Sequence, residues 1–129
     1  MKNSIHKTLF GYCIYIHDMR IHVDLTNSTI INSANAETIK LRNTMMRLFV
    51  FLIENADGKY ISNKDILYHV WDRHGLKSSN QRLWQVMQFL INRLCMAGIP
   101  TGFIEHKDHI GYTVNSSEIM KLYYERQPQ

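Results

Sequence analysis

Acidic residues are missing from one long stretch: the chain has 11 aspartates and glutamates in 129 residues, and none lies between Asp72 and Glu105. Cysteine is nearly absent too. Cys13 and Cys95 are far apart and outside any CxxC pattern, which points to a reducing compartment. They read as two small buried thiols, with a disulfide between them as the alternative reading. The longest apolar run is Leu48–Ile53, far short of the ~20 residues a membrane span needs and suited to a buried helix. "MKNSIHKTLF" has no apolar region behind its weakly basic start, so it is not read as a signal peptide. No nucleophile motif, glycine-rich phosphate loop or carboxylate pair of catalytic spacing occurs, and the chain reads as a non-enzyme without a cofactor or a small-molecule substrate. His106 and His109 form an HxxH with Cys95 as the one nearby thiol. Zinc needs three or four ligands, so this pair reads as a solvated hairpin tip and no metal is expected.

What remains is a chain of a size for one domain with a single core, expected to be soluble and cytoplasmic. The acid-free stretch carries Arg73, Lys77, Arg82 and Arg93, and the other 11 basic residues balance the 11 acidic ones. The whole net charge of +4 therefore sits on one segment, the electrostatic footprint of a polyanion partner. The plainer reading of such charges is a solvated helix face.

The first forty residues read as β structure. "YCIYI", "RIHVDL", "STIIN" and "ETIKL" are short, rich in β-branched residues and separated by turn chemistry, which predicts a four-strand antiparallel meander over roughly residues 12–41. Beyond Leu41 the apolar period becomes helical. A first, heavily buried helix follows Asn43 or Thr44 as N-cap and stops near Gly58. "KYIS" is a short extended link, and Ser62 with Asp65 three residues on opens a second helix ending at Trp71. A turn-rich loop around Gly75 leads to Ser79 or Asn80, the cap of a third helix that closes at about Ala97 before Gly98 and Pro100. "GFIEHKDHIGYTV" reads as a hairpin, and "SSEIMKLYYERQPQ" as one or two helical turns capped by Ser116 or Ser117.

The third helix carries the functional signal. Leu83, Val86, Met87, Leu90 and Leu94 share its core face, while Gln81, Gln85, Gln88 and Asn92 form an amide stripe opposite, bordered by Arg82, Phe89 and Arg93 on one side and Trp84 on the other. A helix needing only solubility would use Glu and Lys there. Amides can bond adenine N6 and N7 bidentately in the major groove, where an α-helix fits. Arg82 and Arg93 are candidates for phosphates, and Phe89 for thymine methyls or a protein surface. Trp84 is expected to pack against the preceding loop or a neighbouring element rather than to contact a base.

"ISNKDILYHVW" is similar to the second helix of the winged helix-turn-helix domain of OmpR/PhoB-type regulators, with its Val-Trp ending. "RLWQVMQFLINRL" lies where that family has its recognition helix, and "FIEHKDHIGYTV" resembles the wing with its Gly-Tyr pair, here Gly111 and Tyr112. The resemblance spans roughly Tyr12–Val114 and is strongest to the ToxR/CadC-like branch of bacterial transcription regulators. It implies an α+β fold: a winged helix-turn-helix with an N-terminal four-stranded sheet, a three-helix core and a C-terminal hairpin wing. The domain would cover residues 1–115, with 116–129 as a short helix or tail. The implied partner is double-stranded promoter DNA, with helix 80–97 in the major groove and wing 102–114 on the adjacent backbone or minor groove. RNA polymerase, a co-regulator or a second copy would be further partners. The DNA-binding residues on this reading are Arg73, Lys77, Ser79, Gln81, Arg82, Trp84 and Gln85, then Gln88, Phe89, Asn92, Arg93, Lys107 and His109. Where the family commonly has arginines this helix has Gln88, Phe89 and Ile91, the ground for an alternative: a winged-helix protein-interaction module without sequence-specific DNA binding. There is no receiver domain or phosphoacceptor pattern, so phosphorylation control is not implied. ToxR-like relatives continue into a membrane span, and "YYERQPQ" reads as a possible start of such a linker.

Overall fold

The computed structural model describes residues 6–56, 58–115 and 118–126. The chain opens with β1 (His6–Ile16), β2 (Met19–Asp24), β3 (Thr29–Asn32) and β4 (Thr38–Lys40), each antiparallel to the one before. The β-branched residues put one face inward: Ile14, Ile21, Val23, Ile30 and Ile39 are buried. At the β2–β3 turn the Asp24 carboxylate accepts from the Thr26 N–H at 2.9 Å and the Asn27 amide at 2.8 Å. The Asn27 bond, more than any other contact, holds the Asp24 carboxyl below its ordinary range.

The expected C-terminal helix is instead a fifth strand. β7 (Glu118–Arg126) pairs antiparallel with β1 from Tyr15↔Glu118 to His6↔Arg126, giving the order β4-β3-β2-β1-β7. Its apolar residues are spaced ambiguously, and an open edge of β1 supplies hydrogen bonds that a short exposed helix cannot match. The same pairing explains why β1 begins at His6 rather than Tyr12: its first half has β7 as a partner. The register slips between Leu9 and Gly11, leaving Phe10 in a bulge. Tyr123–Arg126 are therefore sheet residues and not a linker; residues 116, 117 and 127–129 lie outside the described residues.

Three helices fill the middle of the chain. α1 (Asn43–Asn55) buries Met46, Leu48, Phe49, Leu52 and Ile53. Its cap position is Arg42, without a side-chain bond, rather than Asn43 or Thr44, which already belong to the helix; buried Leu41 at the end of the sheet fixes where the helix starts. α2 (Asn63–Val70) is capped by Ser62, whose hydroxyl accepts from the Asp65 N–H at 3.1 Å. α3 (Asn80–Met96) is capped by Ser79, accepting from the Arg82 N–H at 3.0 Å. Leu83, Met87, Leu90 and Leu94 are buried as the wheel predicts, while Val86 is partly exposed; each fully buried side chain contributes about 1.5–3 kcal/mol.

Polar ties join sheet to helices. The Tyr12 hydroxyl donates to Glu54 on α1; burial first, and this bond second, push the phenol far above its ordinary range. Asn32, itself buried, donates to the Ala97 carbonyl at 2.8 Å and accepts from the Ala34 N–H at 2.9 Å. The wing is β5 (Ile104–Lys107) and β6 (Gly111–Val114), paired antiparallel. The "KYIS" link joins it as a single bridge: the Ile61 N–H reaches the Tyr112 carbonyl at 2.7 Å and the Tyr112 N–H the Ile61 carbonyl at 2.9 Å. Gly111, at φ 140°, makes that closeness possible, because a Cβ there would overlap the Ile61 carbonyl. Cys13 and Cys95 are both free thiols, Cys95 only partly buried. Among the described residues no helix is long and apolar enough to cross a membrane.

Candidate nucleic-acid interface

The surface of interest is built from the outer face of α3, its N-terminal loop, the first turn of α2 and the wing. The Ser79 cap starts α3 in a fixed phase, and burial of Leu83, Met87 and Leu90 turns the opposite face to solvent. Gln81, Gln85 and Asn92 are exposed there, and Gln88 is half-buried. None of these four amides makes a side-chain hydrogen bond among the described residues, so their donors and acceptors are free for a ligand.

Trp84 corrects the expectation of a packed indole. It is 57% exposed, and Phe89 on the other flank is 61% exposed. Trp84 follows directly on buried Leu83, at the rim of the core face. Neither the preceding loop nor a neighbouring element comes over that rim to cover it.

The basic residues separate into groups. Lys77, Ser79, Gln81, Arg82 and Gln85 surround a shallow depression of about 520 Å³ at the start of α3. Arg93 is turned away from it: its guanidinium donates to the Lys40 carbonyl at 2.6 Å, tying α3 to the end of β4. Arg73 lies 3.4 Å from the His69 ring and lines a groove between α1 and α2 with Arg47 and Phe51. Neither arginine shares the depression that holds Arg82.

On the wing, His109 adopts φ 64° at the hairpin turn. It faces a cavity of about 430 Å³ with His106, Ser62, Asn63, Lys64 and Asn80. Asn63 and Lys64 open α2, where the helix dipole favours negative charge, and the Asn63 Oδ1 is buried without a hydrogen-bond partner. These residues were missed because "SNKD" reads as a cap and nothing more; its place at a helix start was the available signal. Lys107 stands 5.8 Å from the centre of the Tyr60 ring. The Tyr60 hydroxyl donates to Glu105, and that bond, ahead of a second from Asn115 at 3.1 Å, holds the Glu105 carboxyl below its ordinary range. The same bond is the chief cause of the raised Tyr60 phenol. Two acids at this end are engaged, Glu105 by Tyr60 and Asp72 by the Ser78 hydroxyl at 2.6 Å, while Asp108 at the wing tip is 88% exposed beside His106.

Chemically, the surface offers unpaired amides at its centre, fixed cations around them and two exposed aromatic rings. No protein-family model matches the chain, and no curated protein does. Among solved structures, the DNA-binding domain of Escherichia coli CadC is similar over 91% of this chain and the whole of its own, with a TM-score of 0.66 and 17% identity. By that likeness and by its own elements, the chain has the winged helix-turn-helix fold.

Proposed function

We propose that the chain is the DNA-binding domain of a bacterial transcription regulator, residues 1–115 being its working part, with β7 completing the sheet. On this reading α3 lies in the major groove, and Gln85, Gln81 and Asn92 read base edges while Phe89 and Trp84 contact thymine methyls or sugars. Arg82, Lys77 and Lys107 meet phosphates, and the wing carries His109 toward the adjacent backbone or minor groove. Ser79 acts through its cap, and Gln88 reads from a partly covered position. Arg93 and Arg73 take peripheral phosphate positions at most. The site would be A·T-rich, and the work would be done in the cytoplasm. What supports the reading is the α3 face: it has no acid, its amides are unpaired, and a similar fold serves DNA binding in CadC. Mobility shifts on the DNA upstream of the gene and on a randomised pool should show retarded complexes that weaken with salt at a shallow slope. Free probe throughout, even at low salt, overturns the reading.

Exposure of Trp84 and Phe89 favours a second reading, a winged-helix module whose α3 face binds protein. Phe89→Arg separates the two: a DNA reader keeps or gains affinity, whereas a protein-binding patch loses its partner.

A further inference from the structure

β7 forms one edge of the five-stranded sheet: β1 pairs with it on one side, and no described strand pairs with it on the other. Alternate residues of such a strand turn N–H and C=O groups outward, a ready template for another strand. Native edges are ordinarily short, bulged or guarded by charge. This one runs for nine residues, its bulge is on β1 rather than on β7, and Met120, Tyr123 and Tyr124 are 44%, 47% and 48% exposed. The guard would be Lys121 in mid-strand, which blocks a neighbour unless an acid stands opposite it.

A second copy of the chain supplies that acid. In an antiparallel pair related by a two-fold axis, one residue faces itself and the others pair symmetrically about it. With Tyr123 on the axis, Lys121 faces Glu125 of the second copy, and Glu125 faces its Lys121. Leu122 faces Tyr124 twice on the other side of the sheet. Moving the axis to Lys121 sets two lysines together, and moving it to Leu122 sets Lys121 against Tyr123. Of these three registers only the Tyr123 one sets Lys121 against an acid, with Leu122 on Tyr124 beside it, although position 126 then falls opposite Met120. Inside one chain Lys121 and Glu125 have long, exposed ion pairs, with Glu54 and Lys7, at 3.9 Å each. Such contacts are weak enough to be shared or exchanged.

From this self-complementarity we infer that the chain forms a two-fold dimer by antiparallel β7–β7 pairing centred on Tyr123, joining two five-stranded sheets into one. The inference stands independently of what α3 binds. Sedimentation velocity of the 129-residue chain over a concentration series should show a monomer–dimer equilibrium. Lys121→Glu or Glu125→Lys places like charges opposite each other at two symmetric positions and should raise the dissociation constant at least about tenfold. The double charge swap, Lys121→Glu with Glu125→Lys, should restore it. The pairs with Glu54 and Lys7 are not restored by the swap, so recovery reads the contact between copies alone. Tyr123→Cys should give a cross-linked dimer on mild oxidation that the parent chain, with only Cys13 and Cys95, does not give. If a charge variant fails to fold, as judged by circular dichroism, this cross-link decides. A monomer at millimolar concentration, a dimer indifferent to charge reversal, or a dimer that Tyr123→Cys does not link overturns the proposal.

Discussion

Along β2 the side chains alternate with the pleat: Ile21 and Val23 are buried, and Arg20, His22 and Asp24 between them are not. Along α3 the same economy holds for the inner face, but outside it Trp84 and Phe89 stand in solvent among unbonded amides. Away from the open edge of β7, backbone pairing and polar ties such as Tyr12–Glu54 and Asn32–Ala97 engage many of the sheet's strong groups. On the α3 side they are left over. A folded chain gains nothing from exposed indole and phenyl surface, and on the proposed function that surplus is the contact area for a partner. The contrast separates substitutions that should damage the scaffold from those that should damage recognition.

The largest effect is expected where the wing is fastened to the scaffold. Gly111→Ala forces a Cβ toward the Ile61 carbonyl at a φ of 140°, and should cost about 2–4 kcal/mol of stability. Gly102→Ala, at the other end of the wing with no atom within 4 Å of its Cβ position, is the matched control and should be near neutral. Chemical denaturation of both variants checks this. Equal losses would mean that the bridge to Ile61 does not hold the wing, and that the division between scaffold and recognition face runs elsewhere.

What could be read from sequence follows the same division. The caps Ser62 and Ser79, the inner face of α3 and the hairpin were legible because each depends on residues within a few positions of one another. β7 was not, because its partner β1 is more than a hundred residues away and its own spacing suits a helix nearly as well as a strand. The core face of α3 fixed which residues point outward but not what covers the flanks, so Trp84 was expected to be packed and is exposed. Arg93 looked like a phosphate contact because its acceptor is the backbone carbonyl of Lys40, which no side-chain pattern reveals. The cavity between wing and α2 needed three elements brought together before Asn63 and His106 could be seen as neighbours.

A smaller effect, confined to recognition, is expected from the amides. Gln85→Ala should leave stability within about 0.5 kcal/mol and cost about 1–3 kcal/mol on the preferred DNA site, with much less lost on random DNA. Gln88→Ala should lose less, since that side chain is half-buried. Arg82→Ala should weaken specific and random binding alike and flatten the salt dependence. Titrations of both DNAs at two salt concentrations separate these patterns. Equal factors for Gln85→Ala and Arg82→Ala on both DNAs would make α3 a docking surface without readout.

The smallest effect lies at the seam between the two regions, in the pair Tyr60–Glu105. The Glu105 carboxyl is held below its ordinary value of 4.5, chiefly by the Tyr60 hydroxyl. Its contribution to stability is therefore fully present above that value and is lost as pH falls through the lower, folded-state value. The Tyr60 phenol is raised above its ordinary value of 10.0 by the same bond. Its contribution is present below pH 10.0 and is lost as pH rises through the higher, folded-state value. Both groups are exposed, so solvent keeps the two limbs shallow. Tyr60→Phe should reduce the alkaline limb, to which Tyr12 and Tyr112 also contribute, and, by taking away the bond, part of the acid limb as well. Glu105→Gln should make the acid limb shallower and leave the part that Asp24 carries. Thermal melts from below pH 4.5 to above pH 10.0 test the coupling. If Tyr60→Phe leaves the acid limb unchanged, the two groups titrate independently, and the wing is held to the link by its backbone bridge alone.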